Sequence, residues 1–398
     1  MKKSLFMLLL LLFAVQMHAQ PVYYVKPVAT GLGDGSSWDN AGDLKAILTN
    51  AIDGSQVWVQ QGLYEIDSSI VITHSISVYG GFFGSETLFS QRNVFSNNYS
   101  ILHSTQAPIS SMLCVNVDPY NGIHPITAIN HFELDGFYLE NAFAPSAWGG
   151  ALRVESVDNL ILQNIVVRYC QAFDGGGMYL ENIPNGYMER VLFWGNVAEN
   201  LAGGLFVSDC SDFTMVSTAF TYNNAYCYNS PTGITTFGSA GFFFEYSRVN
   251  VHHMTLTQNE YGKGGCVAQS TVHFNNSIFY PDSINIEFNH YDTVYYDHCC
   301  LWTTQHLRLQ GLVRMPYLGN WLYPIVDWDN HNTVVETNIF SSNPQFNLNT
   351  FYPYPYLQST SPCIDAGCAS FGTPFDILWL PREVGNAIDM GAMEFQGQ

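Results

Sequence analysis

Short apolar runs alternate with polar and glycine-rich stretches along the middle of the chain. Five such runs follow one another between residues 160 and 279, and Asn, Asp or Gly separates them: LILQNIVV, YMERVLFW, FTMVSTAF, NVHHMTLT and TVHFNNSIF. Apolar runs of this length, bounded by turn residues, are typical of buried strands. The pattern therefore predicts short strands joined by turns over most of the chain.

Paired glycines recur at a constant interval within this region. Gly149-Gly150, Gly176-Gly177 and Gly203-Gly204 follow one another at steps of 27 residues. A period of this length with several short strands per period is characteristic of a solenoid, in which each repeat forms one coil. Glycine suits corners where two backbones approach or φ turns positive, so we predict one such corner per coil at Gly150, Gly177 and Gly204.

Residues at the same offset in successive coils should stack about 4.8 Å apart, at the spacing of neighbouring strands. Alignment on the second glycine of each pair predicts three ladders: an apolar one, a polar one at a corner, and an asparagine pair. Their members are Leu152, Tyr179 and Phe206, then Asp158, Asn185 and Asp212, then Asn196 and Asn223.

One segment near the start has helical periodicity. Leu44, Ile47, Leu48, Ala51 and Ile52 follow the i, i+3, i+4, i+7, i+8 pattern of a single apolar helix face. An N-cap is available at Asp39, Asn40 or Asp43. A lone helix ahead of a β-rich chain predicts a lid over the open apolar end of the solenoid.

Two departures from the period predict loops. The step from Gly204 to Gly241 is 37 residues, and residues 300–345 lose the repeat. Insertions in a solenoid map to one face, often the binding face. The second insertion is rich in aromatic side chains, which offer rigid surfaces for a sugar ring or pack the loop onto the coil. The candidate ligand-binding residues are Trp302, Tyr317, Trp321 and Trp328.

Residues 1–19 have the pattern of a secretory signal peptide: two lysines, an apolar run, and Ala19 at the cleavage point. We expect an exported protein in the periplasm, on the outer surface or in the medium, with no membrane span after signal removal. Loss of Lys2 and Lys3 takes the formal charge from -20 to -22. Clustered Lys and Arg are required for nucleic-acid binding, so we expect no nucleic acid as partner.

Nine cysteines lie in the exported part, where disulfides are permitted. Cys363 and Cys368 are close enough in sequence to pair, whereas the adjacent Cys299 and Cys300 are not expected to pair with each other. No CxxC or HExxH motif occurs. We therefore expect no metal site.

Two stretches resemble a known group. YYVKPVATGLGDGSSWDNAGDLKAIL, followed by VWVQQGLYEI, SVYGGFFGSE and QRN, resembles the opening of secreted bacterial β-helix proteins of the pectin-lyase-like superfamily. NIFSSNPQF, YLQSTSPCIDAG and PREVGNAIDMGAMEF resemble their closing module, of the choice-of-anchor Q type. The matches cover residues 23–103 and 338–395. The resemblance implies an all-β, single-stranded, right-handed parallel β-helix, and it implies no single activity.

The same resemblance raises the possibility of an enzyme. A lyase of this superfamily needs an Arg or Lys base and acidic residues that hold calcium. VYYDHCC is similar to the WxDH stretch of pectate lyases, so the weak catalytic candidates are Asp297, His298 and Arg314, and calcium is a weak candidate cofactor. The alternative for the first two is a strand end with a polar turn. A hydrolase would need paired carboxylates, and Asp158 and Asp212 are more simply explained as turn residues.

The sequence thus predicts a signal peptide (1–19), an N-terminal cap with the first coils (20–103), β-helix coils (104–299), an aromatic insertion (300–345) and a closing module that caps the far end (346–398). We expect a scaffold that binds glycan or another cell-surface partner. A polysaccharide lyase or hydrolase and a structural envelope protein remain the alternatives.

Overall fold

The structure, a computed structural model, describes residues 20–94, 99–105, 110–117, 128–226, 238–259, 263–280, 284–288, 292–302, 308–309, 312–313, 325–326, 333–339, 341–347, 354–371 and 373–397. Nearly all regular structure in these residues is β-strand. One α-helix, Leu44–Asn50, and three 3-10 turns, Trp38–Asn40, Phe89–Gln91 and Ala369–Phe371, complete the elements. None of the helices among them has the length and apolar character that a membrane crossing requires.

Three sheets run along the molecule, and their neighbouring strands are parallel except at the last pairings of the two larger sheets. In spatial order the main sheet contains Val22–Val25, Ser55–Gln60, Ile76–Phe82, Ile129–Glu140, Val157–Arg168, Asn185–Trp194, Phe213–Thr221, Arg248–Thr257, Thr271–Asn275, Thr293–Asp297, Thr333–Thr337 and Ile325–Val326. Beside this path lie Gly62–Ile66, Ser100–Ser104, Ile278–Phe279 and Cys300–Leu301.

The second sheet contains Ile70–Ile72, Leu113–Val115, Leu152–Glu155, Met178–Glu181, Leu205–Ser208, Ser239–Glu245, Lys263–Ala268, Ile284–Phe288, Arg308–Leu309 and Leu312–Val313. The third contains Phe143–Trp148, Gln171–Asp174, Val197–Ala198 and Asn224–Ala225. The chain visits the sheets in turn, and each circuit stacks on the one before. One continuous apolar core, from Val25 to Val334, fills the interior. The prediction of an all-β parallel solenoid is confirmed.

The long strands of the main sheet each bend at a single residue in the left-handed region. The pairing registers skip this residue, with Gln163 opposite Glu189 before the bend and Ile165 opposite Val191 after it. We call the stacked residues the bend ladder: Gly136, Asn164, Arg190, Ser217, His253, Asn276, His298 and Asn338, at φ between 49° and 87°. Because left-handed backbone costs about 1 kcal/mol or more for residues with a Cβ, the repeated bend needs compensating contacts.

The glycine corners are present, but the register between the first two coils differs from the predicted one. The Cβ of an alanine at position 150 would lie 2.3 Å from the Gly176 carbonyl oxygen, so these two glycines are stacked. Gly177 stacks on Gly204, with its N–H 3.1 Å from that residue's carbonyl oxygen. The run Gly175-Gly176-Gly177 offers two alignments, and the sequence alone does not distinguish them.

This shift of one residue corrects two of the predicted ladders. Leu152 pairs with Met178, and Tyr179 pairs with Phe206. Asp158 is not a member of the polar ladder, because Asn159 is the residue opposite Asn185. Asp212 keeps its place, since the neighbouring pair is Gly186 with Phe213.

The predicted asparagine pair exists and extends to a third member. Asn223 Nδ2 donates to the Phe193 carbonyl at 2.9 Å and to Asn259 Oδ1 at 3.0 Å. Its own Oδ1 accepts from the backbone N–H and the side chain of Asn196, at 3.1 and 3.0 Å. All three side chains are buried. The ladder therefore satisfies the backbone at a corner where no strand partner is available.

The N-terminal helix is shorter than the predicted apolar stripe. Asp43 is the N-cap, accepting from the Ala46 N–H at 2.9 Å, and Leu44, Ile47, Leu48 and Ala51 pack into the core. Ile52 lies outside the helix and is 60% exposed, so its assignment to the buried face is wrong. The helix ends at Asn50, and the chain turns there toward the strand Ser55–Gln60.

The described part of the closing module, residues 346–347, 354–371 and 373–397, lies along the side of the solenoid. Ile377, Ala392 and Met393 pack on Val166, Leu192 and Ala219, which face outward from three successive strands. The Gly391 N–H donates to the Asn276 carbonyl, and the Ala392 N–H donates to Thr255 Oγ1. These contacts are with the flank of the coils, and the capping of the far end by this module stays a prediction.

Arg382 fixes the module to the bend ladder. Its fully buried guanidinium donates to Ser217 Oγ at 2.9 Å and to the carbonyls of Gly391 and Ala392. Burial lowers the pKa of Arg382 to about 10, and the nearby carboxylates of Asp376 and Glu394 oppose that shift. A buried arginine is tolerated only with such partners.

The aromatic insertion predicted over residues 300–345 contains a further strand of the main sheet. Thr333–Thr337 pairs with Thr293–Asp297, with Val334 opposite Val294. The coil series therefore resumes inside the range assigned to the insertion.

We predict that Asn223→Ala lowers the free energy of unfolding by about 3 kcal/mol, because the substitution leaves buried backbone groups without partners. Urea unfolding followed by circular dichroism measures the change. Asn185→Ala is the matched control: Asn185 is exposed and belongs to the outer polar ladder, so we expect a change within about 0.5 kcal/mol. Equal losses in the two variants would contradict the role of the buried ladder.

We also predict that the packing of the closing module on the coils becomes less stable as the pH rises. Burial raises the pKa of Glu394 from 4.5 to about 8 and that of Asp389 from 3.8 to about 6. The folded state therefore holds these protons more tightly than the unfolded chain does. The associated stability is complete below pH 4.5 for Glu394 and is lost as the pH rises through 8.

The measurement is the melting temperature from pH 5 to pH 9. Glu394→Gln, which stays neutral, should match the native chain at pH 5 and exceed it by a few degrees at pH 9. Glu65→Gln serves as control because Glu65 is exposed on the strand Gly62–Ile66. The difference between its melting temperature and that of the native chain should not change between pH 5 and pH 9. A constant difference between Glu394→Gln and the native chain across the pH range would refute the coupling.

Candidate functional site

Asp297 and His298, the weak catalytic candidates, lie at the end of the strand Thr293–Asp297. Asp297 Oδ1 is 2.8 Å from His298 Nδ1, and the two side chains are 34% and 27% exposed. His298 Nδ1 nevertheless has no hydrogen-bond partner, despite this short distance. Asp297 Oδ1 accepts instead from Asn338 Nδ2 at 3.2 Å. His298 is a member of the bend ladder, so its position follows from the fold.

The register gives Asp297 no carboxylate neighbour in the adjoining described strands. It is opposite Asn275 on one side and Thr337 on the other. A pair of catalytic carboxylates, which a glycoside hydrolase needs, is therefore not formed by this row. Arg314, the candidate base of a lyase, lies outside the described residues.

Trp302 is the one candidate ligand-binding aromatic residue within the described part of the chain. It is half-buried and packs against a cluster that includes Ile278, Cys300, Phe346 and Leu357. This contact favours the packing interpretation for Trp302. Tyr317, Trp321 and Trp328 lie outside the described residues.

Cys363 and Cys368 do not form the predicted disulfide in this structure, where both are free thiols. Cys363 is buried, and Cys368 is partly exposed with its Sγ 3.4 Å from Ser370 Oγ. The Cys368 backbone is held by Asn276 of the bend ladder, through bonds of 2.7 and 2.8 Å.

A cleft opens where the main sheet turns into the third sheet. Its volume is about 340 Å³, and it is lined by Asn141, Ala142, Phe143, Tyr169 and Gln171. Asn141 and Tyr169 both have left-handed backbone, at φ 60° and 55°. Their strands end at this corner, and the side chains consequently point away from the sheet. Tyr169 is 48% exposed.

The Tyr169 ring fits beside the next coil because the residue opposite it there is a glycine, Gly195. A Cβ at Gly195 would lie 3.0 Å from two atoms of the Tyr169 ring, so a larger residue there would displace the ring. The ring centroid is also 4.8 Å from that of Trp194, and the two planes are tilted by 52°. Burial raises the pKa of Tyr169 above its usual value, so its hydroxyl stays protonated at neutral pH.

Arg168 directly precedes Tyr169 in the chain, and its side chain packs on aromatic rings outside the cleft lining. Its guanidinium carbon lies 5.1 Å from the centre of the Tyr138 ring and 5.9 Å from that of Trp194. Arg168 Nε donates to Glu140 Oε2 at 2.6 Å. The other oxygen of Glu140 is 2.8 Å from His103 Nδ1. The guanidinium is therefore held flat by a cation-π contact on one side and a carboxylate on the other.

The arrangement suits binding of a polar ring more than bond cleavage. Tyr169 offers an exposed aromatic face, and Asn141 and Gln171 offer amides that donate and accept hydrogen bonds. Glu140 is the carboxylate within this group of described residues, and both its oxygens already have partners. It is consequently not free to act as nucleophile or general base.

The described residues hold no group of three or more His, Cys, Asp and Glu side chains placed to bind a metal ion.

Sequence reasoning missed this cleft because its parts are distant in the chain. Arg168 and Trp194 are opposite each other at a step of 26 residues, and His103 comes from a strand much earlier. One sequence feature could have indicated the cleft: Tyr169 is opposite a glycine, Gly195, in the next coil. That signal becomes visible only once the register of the coils is known.

No protein-family model matches the chain. No curated protein matches it either. Among solved structures the chain is similar to that of the pectate lyase Pel9A, with 11% identity and a TM-score of 0.37 over 94% of this chain and 96% of that chain. At these values the likeness supports no conclusion about activity.

Proposed function

We propose that this chain is an exported β-helix scaffold that binds a glycan in the cleft beside Tyr169. The observation that carries the proposal is the exposed Tyr169 ring flanked by the amides of Asn141 and Gln171. Arg168, the residue before Tyr169, is held against the Tyr138 ring. Sugars have an apolar ring face and a rim of hydroxyls. An aromatic face with hydrogen-bonding groups around it complements both features.

Binding is preferred to catalysis because the carboxylate of Glu140 already has partners and is not available as a base or nucleophile. Arg168 and His103 both contact the Glu140 carboxylate. The charges of Arg168 and Glu140 therefore balance each other. A lyase or hydrolase would need a free base or a second carboxylate near the bound sugar. The residues that line the cleft supply amides and aromatic rings instead.

Export is supported by the pattern of residues 1–19, which has the charged start, apolar run and small residue of a signal peptide. We propose that the protein acts in the periplasm, on the cell surface or in the medium. The stretch from residue 338 to 395 is proposed to be a closing module of the choice-of-anchor Q type, on the strength of the motifs quoted above. Its position along the coil flank is compatible with that assignment.

The test is a binding screen of residues 20–398 against neutral and acidic polysaccharides, with and without calcium, followed by calorimetry on any ligand found. Tyr169→Ala should weaken binding about tenfold, because it removes the stacking surface. Arg168→Lys keeps the charge and loses the planar fork, and it should weaken binding by a similar factor.

Tyr246→Ala is the control for general effects, since Tyr246 is 51% exposed at a different corner of the coil. It should leave the affinity unchanged, and melting temperatures of all three variants check folding. Binding that survives Tyr169→Ala and Arg168→Lys would place the ligand elsewhere. An increase in ultraviolet absorbance from unsaturated products, abolished by Asp297→Ala or Arg314→Ala, would replace this proposal with a lyase.

A further inference from the structure

A second exposed tyrosine lies at the same corner of the solenoid as Tyr169. Tyr169, Gly195 and Tyr222 each follow the last residue of a main-sheet strand, and those last residues are paired in three successive coils. All three corner residues have left-handed backbone, at φ between 55° and 65°. Tyr222 is 39% exposed. The corner therefore presents two exposed tyrosines in one row, two coils apart.

Gly195 keeps the position between the two tyrosines free of a side chain. A Cβ there would lie 3.0 Å from two atoms of the Tyr169 ring, so this ring occupies space that a larger residue would need. Two coils separate the α-carbons of Tyr169 and Tyr222 by about 9.6 Å, because neighbouring strands lie about 4.8 Å apart. A ligand that lies along the solenoid axis can therefore contact both tyrosines without crossing a bulky side chain.

The backbone beside the two tyrosines is fixed by the buried asparagine ladder. Asn196 Oδ1 accepts from the Cys170 N–H at 3.1 Å, and Asn223 Oδ1 accepts from the Asn196 N–H at 3.1 Å. Cys170 and Asn223 directly follow Tyr169 and Tyr222 in the chain. The spacing of the two tyrosines is consequently set before any ligand arrives, which lowers the ordering cost of binding.

The third-sheet residues beside this row are uncharged. Gln171, Val197 and Asn224 are opposite one another in successive coils. Arg168, which precedes the first tyrosine, is paired with Glu140. The whole chain has a formal charge of -20, which repels polyanions. A glycan with a carboxylate on each sugar would lose hydration at this row without reaching an unpaired cation among the residues just named, whereas a neutral glycan meets amides that donate and accept hydrogen bonds.

We propose that the glycan bound beside Tyr169 is an extended neutral polysaccharide that lies along the solenoid axis and also stacks on Tyr222. This inference rests on the proposed function, because it names the class of glycan and adds a second stacking position to the same site. In an extended β-1,4-linked chain every second sugar presents the same face. Two such sugars can meet the two tyrosines, while the sugar between them lies over Gly195.

The first test is the dependence of affinity on chain length. Calorimetry uses neutral β-1,4-linked oligosaccharides of glucose, mannose and N-acetylglucosamine, as dimers and as hexamers. The native chain should bind a hexamer about tenfold more tightly than the dimer, because only the longer chain reaches both rings. Tyr222→Ala should lower the affinity for the hexamer about tenfold and leave that for the dimer unchanged. Tyr222→Phe keeps the ring and should bind the hexamer as the native chain does.

Tyr246→Ala is the matched control at a different corner and should change neither affinity. Equal affinities of the native chain for dimer and hexamer, or undiminished hexamer binding by Tyr222→Ala, would overturn the inference. Binding that still required Tyr169 would uphold the proposed function in that case. Absence of binding by every neutral and acidic glycan would remove the proposed function, and this inference with it.

The second test concerns charge. The affinity for the neutral hexamer should change by less than about twofold between low and high salt, because no ion pair contributes to it. Gln171→Lys places a cation in the cleft and should gain affinity for a hexamer of galacturonate, which high salt removes. Gln269→Lys adds the same charge at an exposed position of a different corner and should gain none. Tighter binding of the galacturonate hexamer than of the neutral hexamers by the native chain, lost in Tyr169→Ala, would show that the ligand is acidic and would refute the proposal.

Discussion

The structure depends on one backbone requirement: every coil must turn at the same places so that the next coil can stack on it. In the main sheet the turn is made by one left-handed residue per coil, and the strands on both sides of it stay in register. Such a residue costs about 1 kcal/mol or more when it carries a side chain. The chain does not restrict these positions to glycine. It uses Asn164, Arg190, Ser217 and His253, which form a row along the main sheet and are all buried.

Both terminal regions are anchored on that row by an arginine. Arg92 donates to the Gly80 carbonyl and to Asp135, and a Cβ on the bend residue Gly136 would lie 2.3 Å from its guanidinium. Arg382 reaches Ser217 three coils further along, and Arg190 stacks on Trp379 at 3.9 Å. Both arginines belong to the stretches on which the superfamily resemblance was based. Those stretches therefore describe how the ends attach to the coils, which explains why they indicate a fold and no activity.

The repeat length, the strand content, the helix with its Asp43 cap and the Asn196–Asn223 contact could be predicted from the sequence, because each follows from local periodicity or from a single spacing. The register of the first coils could not, since three successive glycines allow two alignments. The lateral position of the closing module could not either, because it depends on which outward residues of distant coils are apolar, such as Val166 and Leu192. The cleft at Tyr169 is of the same kind. Its residues share neither a motif nor a spacing that precedes knowledge of the register.

The lateral closing module has a consequence for how the molecule unfolds. A bare solenoid is a one-dimensional array, in which each coil contacts only its two neighbours and ends can fray while the middle persists. A segment that touches Val166, Leu192, Ala219, Thr255 and Ile278 adds contacts between coils that are not adjacent. Opening any one of these coils then weakens the attachment of the others. The molecule should lose its structure in a single transition across the strapped coils, as a globular domain does, while coils beyond the strap remain free to fray one at a time.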